Sequence, residues 1–278
     1  DFNDLWQYDP AINQWQLVGT GGTVATPHSQ NGKYVTTGTP NPGNWPGGRF
    51  AMAKWVDNQG RFWMFGGTGR AETGSSSVYM NDLWMYDPAI GQWTYYGGSK
   101  TGGAINGVYG SSQADMNCAT CWPGARQYIP GVWTDNDGNL WMFGGNGYGE
   151  AGATAGALND LWRFDITNKR WAWMKGTKVT NSTTPVGHAT PGQFDPANTP
   201  ACRQYVSGSW KDVDGNFWLF GASVGSTGRL GDLWKYDANS GSPTYNQWAF
   251  MKGDVTTNFI GTYGSKGIPA PTNRPGAR

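Results

Sequence analysis

Asn81-Asp82-Leu83-Trp84 is the stretch on which the fold turns. The same four-residue word stands at Asn3-Asp4-Leu5-Trp6 and Asn159-Asp160-Leu161-Trp162, and a close variant at Gly231-Asp232-Leu233-Trp234. Successive aspartates are 78, 78 and 72 residues apart, so the chain is an internal repeat. Other markers keep the same period. Nine residues after the first Trp comes a second, at Trp15, Trp93 and Trp171; the fourth copy, Trp248, is delayed by an insert around Gly241-Ser242-Pro243. An apolar run ending in small residues recurs as Phe62-Trp63-Met64-Phe65-Gly66-Gly67, Leu140-Trp141-Met142-Phe143-Gly144-Gly145 and Phe217-Trp218-Leu219-Phe220-Gly221-Ala222. An arginine entrance recurs as Pro46-Gly47-Gly48-Arg49, Pro123-Gly124-Ala125-Arg126, Pro200-Ala201-Cys202-Arg203 and Pro275-Gly276-Ala277-Arg278. Of the 17 Trp, all but Trp173 fall on positions shared between repeats, which makes them core before anything else. Trp63, Trp141 and Trp218 are therefore expected to be almost wholly buried.

Each repeat reads as four antiparallel strands in meander order. The first runs from the Arg to a Trp, as in Arg49 to Trp55, and ends in a tight turn: Asp57-Asn58-Gln59-Gly60, Asp135-Asn136-Asp137-Gly138 or Asp212-Val213-Asp214-Gly215. Asp bonds its own turn and Gly supplies positive φ. The second strand is the apolar run, expected to be buried on both faces. The third is Asp-Leu-Trp-x-Tyr-Asp, and the fourth carries the last Trp. A unit with two apolar faces must stack on neighbours; stacking about an axis gives a β-propeller, the reading adopted, and stacking in a line would give an open solenoid, the alternative. The fold class expected is thus all-β, a propeller of four-stranded blades.

These residues resemble the kelch repeat family. Its pattern is a Gly-Gly pair ending strand two, an aromatic in strand three and a Trp in strand four: here Gly66-Gly67, Tyr86 and Trp93, then Gly144-Gly145, Phe164 and Trp171, then Gly221, Tyr236 and Trp248 with Ala222 in place of the second Gly. The resemblance covers nearly the whole chain and is nearest to the secreted bacterial type related to the galactose-oxidase central domain. It implies one propeller region over 1–278: strands three and four of a partial blade at 2–18, whole blades at 47–96, 124–174 and 201–251, and the start of another at 274–278. It also implies six or seven blades in all. The expectation is that this chain is a piece of a longer propeller with a processed or truncated start, or that another chain donates the missing strands.

Composition narrows the function classes. The 278 residues carry a net charge of +1, with no basic stripe or acidic tail, so neither nucleic acid nor anionic lipid is expected as a partner. No apolar run approaches a membrane span. Aromatics make up 15 % of the chain, which argues for a packed core, and only two glutamates occur, Glu72 and Glu150. His28 and His188 stand in unequal loops and suit neither a zinc nor a copper site, so no metal and no cofactor are expected. Gly147-Tyr148-Gly149-Glu150-Ala151-Gly152 has the spacing of a dinucleotide loop, but no helix pattern follows it. Asn181-Ser182-Thr183 is a glycosylation sequon. Cys121 is expected in a disulfide of an oxidising compartment, with Cys118 as the favoured partner and Cys202 as the alternative.

Two readings of function compete. In the first, the chain is an extracellular or cell-surface binding or structural module, not an enzyme. Its long loops, with Trp45 and Trp122 near their ends, would face a glycan or protein partner, copies of itself included. A ring of Arg49, Arg126, Arg203 and Arg278 would grip carboxylates or sulfates, unless each Arg pairs with the Asp of an Asn-Asp-Leu-Trp word. In the second, the resemblance implies a carbohydrate-active enzyme of the sialic-acid-epimerase or galactose-oxidase kind.

Overall fold

The computed structural model describes residues 2–20, 30–182, 190–205, 208–225 and 228–278. The chain is all-β: among the described residues there is no helix, and the strands pair antiparallel in several sheets. It forms two compact units, Asp1–Asn106 with Gly124–Gln127, and Gly107–Pro123 with Tyr128–Arg278.

The first unit holds a hairpin, Asp4–Asp9 with Gln14–Thr20, and a four-stranded sheet of Ala53–Val56, Phe62–Phe65, Leu83–Asp87 and Gln92–Gly97 in chain order. The second unit holds two sheets of the same plan. One has strands Gly131–Thr134, Leu140–Gly147, Gly156–Asp165 and Arg170–Lys175. The other has Gly208–Lys211, Phe217–Phe220, Leu233–Asp237 and Gln247–Lys252. Register repeats with the sequence. Trp55 faces Trp63, Trp133 faces Trp141 and Trp210 faces Trp218 across strands one and two. Tyr86 faces Trp93, Phe164 faces Trp171 and Tyr236 faces Trp248 across strands three and four. Each third strand slips by one residue against the fourth between its Leu and Trp, at Leu83/Trp84, Leu161/Trp162 and Leu233/Trp234; the hairpin does so at Leu5/Trp6. Such a bulge sharpens the local twist.

The turn aspartates work as their sequence suggests, and reach further. Asp57 Oδ1 accepts from the amides of Gln59 and Arg61, while Oδ2 accepts from Trp63 Nε1 at 2.7 Å. Asp135 does the same for Trp141, and Asp212 for Trp218, each at 2.9 Å. The turn residue thereby satisfies the indole N–H of a core Trp.

Strand one differs from the expectation of a continuous run. Two residues after each Arg the chain turns left-handed, at Ala51 (φ 57°), Tyr128 (φ 52°) and Tyr205 (φ 67°), and only then enters the sheet. The short Arg49–Phe50 strand pairs separately with Thr68–Gly69. Strand two also departs from the expectation. Trp63 and Trp141 are fully buried, but Trp218 and Phe220 are half-buried, and Trp210 is 44 % exposed. In the second unit, Trp133, Trp141, Phe143 and Leu161 of one sheet pack with Phe217, Tyr236 and Trp248 of the next into a single core. Trp210, Trp218 and Phe220 lie on the opposite face of the third sheet, which no described sheet covers to that depth.

Candidate functional site

The arginine entrances lead to a recurring buried cluster. In the first unit, Asp82 is fully buried between strands two and three. Arg49 grips it with two prongs, Nη1 to Oδ1 at 2.6 Å and Nη2 to Oδ2 at 2.8 Å. Trp84 Nε1 donates to Oδ2 at 2.6 Å, and the Tyr34 hydroxyl donates to the same oxygen at 2.8 Å. One carboxylate thus gathers an Arg, a Trp and a Tyr from three parts of the chain. Burial, and then the Asp82 charge, push the Tyr34 phenol far above its ordinary range. Burial alone would lower the Arg49 pKa, but the Asp82 carboxylate overcomes that and raises it. In the second unit, Arg203 holds Asp232 with two prongs and Trp234 Nε1 donates to it at 2.7 Å. Asp160 accepts from Trp162 Nε1 at 2.7 Å and from the Tyr109 hydroxyl at 2.6 Å.

This geometry places the expected ring of arginines. Arg49 and Arg203 are buried and their forks are filled by aspartates. Arg126 is buried too; its Nε donates to Gly124 O at 3.1 Å, and its backbone carbonyl accepts from Gly67 N at 2.8 Å. Arg278 is exposed, with Nε donating to Gly276 O at 3.3 Å. A carboxylate or sulfate ligand would have to displace Asp82 or Asp232 to reach the first two. Their role is to fasten the start of each sheet to its third strand.

The long loops are tied to the sheets. Each folds back along the fourth strand of its own sheet. Gly38 N donates to Tyr95 O, and Asn41 N to Trp93 O. Ala114 N donates to Trp173 O, and Gly192 N to Phe250 O. The strand Phe194–Asp195 pairs with Trp248 and Ala249. The outer edge of each sheet would otherwise leave its backbone groups open to another chain, and the loop covers it. Trp45 and Trp122 are half-buried at the loop base. Trp45 Nε1 donates to Asn3 O at 2.9 Å, and its ring lies edge-on to Trp93 at 6.0 Å. Trp122 exchanges both backbone hydrogen bonds with Val108 and lies edge-on to Trp171 at 6.4 Å.

Cys118 and Cys121 are bonded to each other in the second of these loops, and Cys202 is a buried free thiol. The bridge stands where the other loops use an asparagine. Asn44 accepts from the amides of Val35 and Thr36 and reaches Trp93 O. Asn198 donates to Gln193 O and to Trp248 O. Counting back from the Arg, Cys121 occupies the same place.

His28 and His188 lie outside the described residues, as does Thr183 of the sequon. Among the described residues, no group of three His, Cys, Asp or Glu side chains could hold a metal ion. No helix among them is long and apolar enough to cross a membrane. No family model matches the chain, and no curated protein matches it.

Sequence reasoning missed two features. One is the loop tyrosine on the buried carboxylate, Tyr34 and Tyr109, whose only signal is a Tyr 15 residues before Arg49 and 17 residues before Arg126. The other is the residue directly after the Arg. Gln127 is locked between Thr68 Oγ1, which donates to its Oε1 at 2.7 Å, and the Tyr79 hydroxyl, which accepts from its Nε2 at 2.8 Å. The equivalent Gln204 is 5 % exposed, and its Oε1 has no hydrogen-bond partner among the described residues.

Proposed function

We propose that the chain is a binding or structural module of an extracellular or cell-surface protein, built as a kelch-like propeller and serving a glycan or protein partner. The observation that carries this reading is the use of the repeated charges. Arg49 and Arg203 meet Asp82 and Asp232 inside the sheets, so the residues that recur from repeat to repeat serve the scaffold. The loops support it as well. They are pinned by backbone pairing and, in one repeat, by Cys118–Cys121, and a surface held in this way loses little entropy on binding. The disulfide favours an oxidising compartment and hence an address outside the cell.

The test is a glycan array, with a parallel panel of extracellular-matrix proteins, probed with the whole chain. Saturable capture of one class supports the module. Turnover of a saccharide substrate by the purified chain, abolished by a single substitution, would overturn it in favour of an enzyme.

A further inference from the structure

Gln204 lines a polar cavity of about 470 Å³ together with Tyr205, Ser223, Gly225, Gly228, Arg229 and Asn258. That volume falls in the range of small-ligand sites. Its floor is rigid. Gln204 and Ser223 exchange both backbone hydrogen bonds, and Ser223–Val224 pairs with Gly228–Arg229 as a two-stranded hairpin. Arg229 N donates to Asn258 Oδ1 at 3.0 Å, and Asn258 N returns a bond to Arg229 O at 2.8 Å. Tyr205 is held left-handed at φ 67°. Its N–H donates to Tyr128 O at 3.0 Å, and the two rings lie 4.5 Å apart.

Three groups in this frame call for a ligand. The Gln204 side chain is buried, and its amide oxygen has no partner among the described residues, whereas its counterpart Gln127 has both ends of its amide bonded to hydroxyls. A buried polar atom without a partner is unfavourable, and a hydroxyl that reaches it restores the missing hydrogen bond. The Arg229 guanidinium is exposed and forms no ion pair with any described residue. Tyr205 is 45 % exposed and offers a ring to an apolar face.

We infer that this cavity binds an acidic saccharide: a hydroxyl-rich sugar whose hydroxyl meets Gln204, whose carboxylate meets Arg229 and whose C–H face lies on Tyr205. A hydroxyl both donates and accepts, so it suits the Gln204 amide in either orientation. A bare inorganic anion would satisfy Arg229 alone, and a neutral sugar would leave Arg229 unused. The inference rests on the binding-module reading above and names the ligand class of one site within it.

The experiment is isothermal titration calorimetry of the whole chain with digalacturonate and, in parallel, with neutral digalactose. The wild-type chain is expected to bind the acidic disaccharide saturably and at least tenfold more tightly than the neutral one, with affinity falling as salt rises. Arg229→Gln, at an exposed position, should lose that tenfold preference while keeping the wild-type melting temperature. Gln204→Met should weaken both sugars by a similar factor. If Gln204→Met does not fold, Arg229→Gln and Tyr205→Leu carry the test. No binding of either sugar overturns the inference, as does equal affinity for both. Binding that neither Arg229→Gln nor Tyr205→Leu alters overturns this site and leaves the module reading standing.

Discussion

Arg203 and Asp232, 29 residues apart in sequence, meet as a two-pronged ion pair with neither side chain reaching solvent: Nη1 to Oδ1 is 3.0 Å and Nη2 to Oδ2 is 2.9 Å. Arg203 also donates from Nη1 to Gly221 O and from Nε to Ala201 O, so four of its donor bonds are made inside the sheet. Removing one partner strands the other as a buried charge. Arg203→Leu is expected to cost about 3–5 kcal/mol in urea unfolding, whereas the double change with Asp232→Leu should recover part of that loss. A single-mutant loss under about 1 kcal/mol would show that the pair does not hold the sheet.

Ala222 stands where the other two sheets have the second Gly of the pair, and it is held at φ 90°. A side chain in the left-handed region costs roughly 1–2 kcal/mol, and the greater freedom of Gly in the unfolded chain returns part of it. Ala222→Gly should therefore raise stability by about 0.5–1 kcal/mol. Gly67→Ala should be destabilising by more, because its Cβ would come within 2.6 Å of the Phe50 carbonyl oxygen. The paired melting temperatures check both signs.

Trp141 and Trp218 occupy the same repeat position, but the first is fully buried and the second half-buried. Trp141→Ala should cost about 3–5 kcal/mol. Trp218→Ala should cost clearly less, as measured by chemical denaturation. Equal losses would mean that the outer face of the third sheet is covered in solution.

The three cysteines should label in steps. The Cys202 thiol is buried, and burial pushes its pKa up to about 11. A thiol-alkylating reagent at pH 8 should therefore leave the native chain unmodified, label one cysteine after unfolding, and label three after unfolding with reductant. Because Cys118–Cys121 closes a very short loop, its loss should cost about 2 kcal/mol at most. The double change Cys118→Ser with Cys121→Asn should recover stability relative to Cys118→Ser with Cys121→Ala, because Asn44 and Asn198 brace the other loops from that position. Mass spectrometry and thermal melts read these outcomes.

Acid should loosen the turns. Burial raises the Asp57 pKa, but hydrogen bonds from Trp63 and Arg61 outweigh it and hold the carboxylate below its ordinary 3.8. Asp212 is likewise held low, chiefly by the bond from Trp218 against the opposing effect of burial. A depressed folded-state pKa contributes stability above the unfolded value, and that stability is lost as pH falls through the folded one. Stability should decline from about pH 4 downward, and Asp57→Asn should flatten that decline. An unchanged pH profile in this variant would remove Asp57 from the account.

Much of the fold is legible in the sequence. Asp-x-x-Gly turns, alternating aromatics and the repeated Asn-Asp-Leu-Trp word are local patterns, and local sterics translate them directly into strands and hairpins. The break in strand one was not legible, because Ala51, Tyr128 and Tyr205 carry no glycine to advertise positive φ. Nor was the fate of the long loops. Their Gly, Thr and Asn content reads as exposed chain, yet their amides find acceptors on the edge of strand four.

The sequence by itself determined that this protein is a periodic all-β chain with Trp in its interior, because period and side-chain volume leave few other ways to bury so many aromatic rings. It also raised the pairing of each Arg with an Asp as one of two fates for those residues. Tertiary structure alone decided between them, bringing Tyr34 and Trp84 onto the same carboxylate as Arg49. It alone separated Gln127 from Gln204, which follow equivalent arginines. Thr68 and Tyr79 satisfy one amide, and the other keeps an oxygen with no partner among the described residues. The reason is physical: a strand follows from its near neighbours, but whether a buried polar atom has a partner depends on which distant segment arrives beside it.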